Sequence, residues 1–390
     1  MWTQFFIMFP MMVCLVWTAI LLLDYLSARS SVCLRLLVFM MTSTILYAGH
    51  YVFFSEAISV IPFSDTLYGV ANLSVYPLYL LYITQLTEGR IHRRQLFMFL
   101  PALLSGVTYG VLYTLMDVEE MHRFIHTYLY GNNMQGLTGM GLTMAWAHAI
   151  SRLLFFVLVI VVLVRGYVFL HRFGQKVTSM YADLEGRTLR PVRILLHLFV
   201  ATSFFSLFFN VIGRQYFDDA QWLLPIPSLL FSSLIFCIGY LGSRPMFSYI
   251  DLQQEQDDAE LPYTEEGDDN TSDIVHQRIE ALAMEIERLM REEQFFLKQD
   301  LRLSDIARQL GTNVRYVSIA INQVIGRPFA DYINQYRIAY ARELQRQQPR
   351  LPVVEVAHMS GYISMQSFYR NMRKFGKKEM GGVEEVRMKD

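Results

Sequence analysis

Cysteine is scarce in this 390-residue chain: Cys14, Cys33 and Cys237 each lie inside an apolar run, and none forms a CxxC pair. That spacing indicates neither a disulfide framework nor a zinc site, and points to three small buried hydrophobes. Lysine is absent before Lys176, which rules out a retinal Schiff base in any N-terminal bundle. A Gly-rich phosphate loop, a nucleophile elbow, an HExxH helix and a metal-ligand cluster are all missing. The sequence therefore predicts no enzyme, no catalytic residue, no cofactor and no metal.

Charge is scarce too, but unevenly. The net charge of -1 averages unlike parts. Charges are sparse up to Gly242, and positions 251–273 hold ten acids with no Lys or Arg. From Ile274 onward 19 Lys and Arg stand against 14 Asp and Glu. A membrane part, an acidic linker and a basic domain follow from this asymmetry, with expected limits at 1–244, 245–273 and 274–390.

What is plentiful is apolar surface. The chain is 53% hydrophobic with a mean hydropathy of +0.27, above the roughly 45–50% usual for soluble proteins. A membrane-crossing helix needs about 20 apolar residues, and seven stretches qualify: 5–26, 32–54, 66–86, 95–116, 145–170, 192–212 and 223–241. Asn72 and Pro77 weaken the third, and Pro225 and Pro227 crowd the start of the seventh.

The loops between these stretches alternate. The first, third and fifth carry ten basic residues, from Arg29 to Arg193, whereas the fourth and sixth have only Arg123 and Arg214 and the second has none. Basic loops stay cytoplasmic, so the sequence predicts a multi-pass protein of a bacterial inner membrane. Its N-terminus lies outside and everything after Arg244 lies inside. The first apolar run lacks a basic n-region and a cleavage site, so it is expected to be retained.

Polar residues at membrane depth are candidates for function. His50, Asn72, His148, Arg152, His197 and Asn210 qualify, and His148 and Arg152 are four apart on one helical face. Either they hydrogen-bond between helices or they line a ligand pocket open to the outside, for a small-molecule or protein signal. The acidic stretch that follows the bundle is too poor in apolar residues to offset its ordering entropy and is expected to be a disordered spacer.

After it, Val275, Ile279, Leu282, Ile286 and Leu289 recur at 4-3-4-3 spacing. That stripe fits either a homodimeric coiled-coil seam or a helix packed on the next domain. Two helix-turn-helix patterns come next. In "SDIARQLGTNVRYVSIAIN" Ala307 is the small residue, Gly311 the turn, and Ile306, Leu310, Val317 and Ile321 the apolar lock. Ser304 suits an N-cap of the first helix and Asn313 of the second. "LPVVEVAHMSGYISMQSFYRNMRKFG" repeats the arrangement with Ala357, Gly361 and the apolar set Val353, Val356, Ile363, Phe368, Met372 and Phe375. An amphipathic helix with Phe329, Ile333, Tyr336, Tyr340 and Leu344 on one face joins the two.

Residues 274–376, through "LRLSDIARQLGTNVRYVSIAIN", "PFADYINQYRIAYARELQ" and "VVEVAHMSGYISMQSFYRNMRKFG", resemble the DNA-binding domain of the AraC/XylS family of bacterial transcription regulators. The resemblance covers about a quarter of the chain. It implies two units in successive major grooves of double-stranded DNA, with RNA polymerase as a partner at the promoter. By position, Arg315, Ser318, Ile319 and Asn322 of the first unit would face the groove. Gln366, Ser367 and Arg370 of the second would do the same, with Lys374 near phosphate. Ile319 stands where the family often has a polar residue. After "RKFG" the family's Thr-Pro step and closing helix have no counterpart in "KKEMGGVEEVRMKD".

The expected fold class is all-α: a polytopic seven-helix membrane bundle followed by a cytoplasmic double helix-turn-helix domain. The expected function is a membrane-tethered, sequence-specific transcription regulator that couples an extracytoplasmic or membrane signal to promoter binding. The alternative is a receptor or transporter whose C-terminal domain binds a protein partner.

Overall fold

A segment immersed in hydrocarbon must satisfy its own backbone polar groups, and long apolar runs do so as helices. In the computed structural model, which describes residues 2–184, 187, 189–212, 223–244, 247–257 and 272–376, the apolar half is helical throughout. It comprises α1 (Trp2–Ala28), α2 (Ser31–Phe54), α3 (Ile61–Glu88), α4 (Leu100–Leu115), α5 (Val118–Phe124), α6 (Gly139–Thr178), α7 (Arg190–Ile212) and α8 (Pro225–Gly242). Five stretches are long and apolar enough to cross a membrane: Gln4–Ala28, Ser31–Phe54, Arg93–Leu115, Gly139–Thr178 and Pro225–Gly242. Pro225 falls in the first turn of α8, where its missing N–H costs nothing. The other two expected spans form as α3 and α7 without meeting that test.

For α3 the reason is visible. Every residue from Leu73 to Thr87 is buried, so protein surrounds this helix and polar side chains are affordable. Thr84 donates to the Leu80 carbonyl at 2.8 Å and accepts from Gln95 Nε2 at 3.0 Å. Gln85 donates to the Gly89 carbonyl at 2.7 Å and to Ser31 Oγ at 3.1 Å. Helices α2 and α4 pack on α3, and α1 packs on α2 and α8. Gly239 lets α8 approach Trp17: a Cβ there would sit 2.3 Å from the indole.

Of the polar residues picked from this half, His50, Asn72, His148 and Arg152 line one cavity. His197 is exposed and bonded through Nδ1 to the Arg193 carbonyl of its own helix. The side chain of Asn210 lies outside the described residues.

The second compact unit comprises Arg172–Thr188 and Ile250–Asp390. A basic loop expected within 1–244 thus groups with the C-terminal residues. The acidic stretch also begins as a helix, α9 (Tyr249–Asp257), in which Leu252 is fully buried. Residues 258–271, the remainder of the expected spacer, lie outside the described residues, as does the atypical tail 377–390.

The domain itself is α10 (Ser272–Arg291), α11 (Leu303–Gln309), α12 (Val314–Ile319), α13 (Phe329–Gln347), α14 (Val353–Met359) and α15 (Met365–Gly376). The apolar stripe of α10 is intramolecular. Ile279, Ile286 and Leu289 are buried in one core with Ile306, Val317 and Ile321 of the first helix-turn-helix unit, and Leu282 packs against it. These four are spent inside the chain, so the expected dimer seam is withdrawn for them; the side chain of Val275 is outside the described residues. A second core joins Ile338, Ala341 and Leu344 of α13 to Val356, Ala357 and Phe368.

Two details of the sequence reading shift. Ser304 lies inside α11, whose N-cap is Arg302; there Asp305 accepts from the Arg302 N–H at 2.9 Å. Val353 and Ile363 are exposed, and Tyr362, 1% exposed and edge-on to Phe368 at 5.4 Å, fills the core place expected of Ile363.

Both turn glycines adopt left-handed backbone, with φ +62° at Gly311 and +83° at Gly361. Nothing lies within 4 Å of a Cβ at Gly311, whereas one at Gly361 would meet the Leu297 carbonyl oxygen at 2.8 Å. Gly311→Ala should therefore cost only the backbone penalty, about 1–2 kcal/mol. Gly361→Ala should cost more, because a backbone oxygen cannot step aside. Amide exchange of the detergent-solubilised full chain would read this as a larger loss of protection in α13–α15 for Gly361→Ala than in α11–α12 for Gly311→Ala.

Candidate nucleic-acid interface

A reading helix must be held at its start and leave its outer face free. For α12 the hold is Asn313, whose side chain accepts from the Arg315 N–H at 2.8 Å and satisfies an orphan donor of the first turn. Arg315 is exposed in that first turn, and its guanidinium has no protein partner among the described residues. Past Ile319 the helix widens into a π-turn, Ala320–Val324. Asn322 spends its amide on Ser318, donating to the carbonyl at 2.9 Å and to Oγ at 3.1 Å. Ile319 is half-buried against the first core, so part of its surface packs on protein.

In the second unit Gln366 and Arg370 are exposed on α15. Lys374 is exposed and paired with Asp331 of α13 at 2.5 Å. Ser367 is different: it is 1% exposed and donates to Asp183 Oδ1 at 3.0 Å. It also accepts from Arg370 at 3.1 Å. In this arrangement the hydroxyl orients Arg370 instead of facing a groove.

Asp183 comes from the segment between α6 and α7, which is built into the domain at several points. Tyr181 forms an antiparallel bridge with Arg302: the Ala182 N–H donates to the Leu301 carbonyl at 3.1 Å, and the Leu303 N–H to the Met180 carbonyl at 3.0 Å. Asn334 of α13 donates to the Ala182 carbonyl at 2.7 Å and accepts from Asn371 of α15 at 3.1 Å. Arg187 grips Asp300 with two hydrogen bonds, 2.7 and 3.1 Å, and lies over the Tyr181 ring. Tyr181, Ala182 and Asp183 are all buried.

The eight residues singled out from sequence are thus all on the two second helices, though not all turned outward. Arg315, Gln366, Arg370 and Lys374 present exposed polar groups. Ser318, Ile319 and Asn322 are half-buried, and Ser367 is internal. Sequence reasoning missed Asp183, Arg187, Asn334 and Asn371. Arg187 was legible only as a cytoplasmic-loop charge, since its partner lies 113 residues away.

A helix-turn-helix domain family model matches residues 306–377. That match supports an AraC-type DNA-binding domain. The matched stretch runs from within α11 to just past α15 and includes both turns. It leaves out α10 and the apolar half. No curated protein and no solved structure matches the chain.

The Asp300 carboxyl is half-buried, which alone would raise its pKa, but the hydrogen bonds from Arg187 and Arg302 hold it below the ordinary carboxylate value. A depressed pKa means the stabilisation is fully present above the unfolded-state value, about 3.9, and is lost as the pH falls through the lower folded value. Protection of the Ala182 amide, corrected for intrinsic rate, should therefore be flat between about pH 7 and 5 and fall below about 4. In Asp300→Asn it should be reduced across the whole range.

Proposed function

We propose that the chain is a membrane-tethered, sequence-specific transcription regulator that couples a signal received by its helical bundle to promoter binding. The observation that carries the reading is the pair of helix-turn-helix units joined by α13, coincident with the family match at 306–377. Five helices apolar enough to cross a membrane support the tether. In the proposed topology α3 and α7 complete seven spans, the N-terminus is outside, and the DNA-binding domain is in the cytoplasm of a bacterium. The alternation of basic loops supports that orientation.

Coupling is assigned to the Tyr181–Arg187 segment. It touches the first unit through Leu301 and Arg302, α13 through Asn334, and α15 through Ser367. Moving it would change the relative setting of two helices that must meet successive major grooves together. Arg370 and Gln366 are proposed to read bases, Arg by a bidentate pair with guanine and Gln with adenine. Arg315 reads or anchors at the first unit, and Lys374 meets phosphate. Ser318, Ile319 and Asn322 contribute shape and thymine-methyl contact more than hydrogen bonds, and Ser367 positions Arg370.

The test is a gel-shift series with the full chain in nanodiscs on promoter fragments recovered by chromatin immunoprecipitation. Affinity should fall steeply with salt, as phosphate neutralisation requires. Arg370→Ala should cost about 1–3 kcal/mol and relax preference at one position, while Lys374→Ala should weaken all sequences alike and flatten the salt slope by about one. Absence of binding at low salt would overturn the reading in favour of a protein-binding C-terminal domain.

A further inference from the structure

The apolar half holds a cavity of ≈ 320 Å³ among its helices. That is the volume of a small-ligand site, roughly 300–1,000 Å³. Its lining is divided along the helices. Asp65 stands one turn into α3, and His148 and Arg152 lie in the third and fourth turns of α6, beside Asn132 from the segment before α6. Eleven residues further along α3, about 16 Å at the helical rise, Tyr76 stacks on Phe199 at 4.5 Å and meets Phe155 edge-on at 5.1 Å. All three rings line the same cavity. Phe155 follows Arg152 by three residues on α6, about 4.5 Å at the helical rise, so an occupant meets the guanidinium and the first aromatic wall within one helical turn.

The charges at the polar end are not balanced alike. Asp65 Oδ2 already accepts from Tyr113 at 2.8 Å and faces His148 Nε2 at 3.0 Å, and both side chains of that pair are about nine-tenths buried. His148 is fixed in turn by stacking on Tyr109 at 4.3 Å. Arg152, on the same face of α6 one turn later, has only neutral partners: the Asn132 amide oxygen at 3.3 Å and the Tyr128 ring. No carboxylate lies within ion-pair distance of it among the described residues. A guanidinium stays charged, and its planar fork matches a carboxylate.

We propose that this cavity binds an amphipathic carboxylate, a monoanion with an apolar or aromatic body, whose carboxylate pairs with Arg152 and whose body lies among Tyr76, Phe155 and Phe199. The proposal rests on the reading of the bundle as the signal-receiving half and gives that signal a chemical class. Asp65 and His148 act as positioning residues that hold α3, α4 and α6 around the polar end. Two sources share the chemistry: a soluble aromatic acid, or a fatty acid partitioned into the bilayer.

Calorimetric titration of the full chain in phosphatidylcholine nanodiscs tests this without DNA. The probes are 4-phenylbutyrate, the cation of the same body 4-phenylbutylamine, and decanoate supplied through the lipid. Saturable binding of an acid, with the amine at least tenfold weaker, is the expected result. Phenylbutyrate alone binding identifies the soluble source, and decanoate alone the membrane source. Arg152→Gln should lose tenfold or more in affinity, and Arg152→Lys should lose less. Equal binding of acid and amine, or no saturable binding of either acid at millimolar concentration, overturns the proposal. The acid–amine comparison on the unaltered protein stands even where a variant fails to fold. Acid binding with no DNA binding would leave the cavity assignment intact and remove the regulator reading; the reverse pattern would do the opposite.

Discussion

Arg337 is a guanidinium with no exposed surface, placed where the two helix-turn-helix units meet. A buried charge is costly unless hydrogen bonds compensate it. Here Nε donates to the Phe296 carbonyl at 2.8 Å and one terminal nitrogen to the Lys298 carbonyl at 2.6 Å, with the Tyr362 ring 5.4 Å away, while the other terminal nitrogen is buried without a hydrogen-bond partner among the described residues. Burial lowers its pKa, yet from a starting value so high that the charge persists. The turn before α11, the middle of α13 and the turn before α15 are thereby fastened to one side chain. Gly361 has to be glycine for the same reason: the space a Cβ would need is taken by the Leu297 and Phe296 carbonyls and by Arg337 itself. The relative setting of the two reading helices therefore depends on one desolvated cation and the backbone oxygens that surround it.

A second buried polar node lies beside the first. Asn371 links to Asn334, and Asn334 holds the Ala182 carbonyl. Asp183 meets Ser367. Burial raises the pKa of the Tyr362 hydroxyl, and of the charges beside it Arg337 lowers it while Asp183 raises it. A polar junction of this kind has discrete arrangements, satisfied or unsatisfied, where an apolar contact would slide. That property suits an element proposed to switch, since releasing Ala182 and Asp183 would strand buried donors on α13 and α15 at about 1–3 kcal/mol each.

Much of this was legible from sequence, for physical reasons that also explain what was not. Gly311, Gly361, Ala307, Ala357 and Asn313 are local requirements of a turn, a close approach and a cap, and local requirements show in the residue type. The stripe of α10 was legible as amphipathic but not as intramolecular, because a seam toward a second chain and a seam toward the next helix use the same spacing. Ile363 and Tyr362 exchanged roles because Phe368 follows Gly361 by seven residues where Val317 follows Gly311 by six, and that longer turn shifts which neighbour points inward. Arg337, Asn334 and Ser367 could not be assigned, since on a helix a buried polar residue and a solvated one look alike until a distant partner is known. In the apolar half Asp65 was overlooked because the span was started at Thr66. The helix begins at Ile61, with a proline in its first turn, and that start brings the carboxylate inside it.

The apolar half obeys a different constraint. Where lipid is the neighbour, polarity is excluded, and where protein is the neighbour it is only expensive. Helix α3 shows the difference: its hydropathy falls below that of the helices around it because Thr84, Gln85 and Thr87 find partners on buried surfaces. The same freedom permits Asp65, Tyr113 and His148 to satisfy one another and leaves Arg152 with neutral partners alone among the described residues. A bundle that served only as an anchor would gain nothing from holding an aromatic-walled cavity open beside a guanidinium. Helix α6 contributes both His148 and Arg152, and the chain that leaves its C-terminal end, after Thr178, is the segment clamped by Asn334 and Ser367. The chain thus runs without interruption from the helix that carries Arg152 into a segment held by α13 and α15.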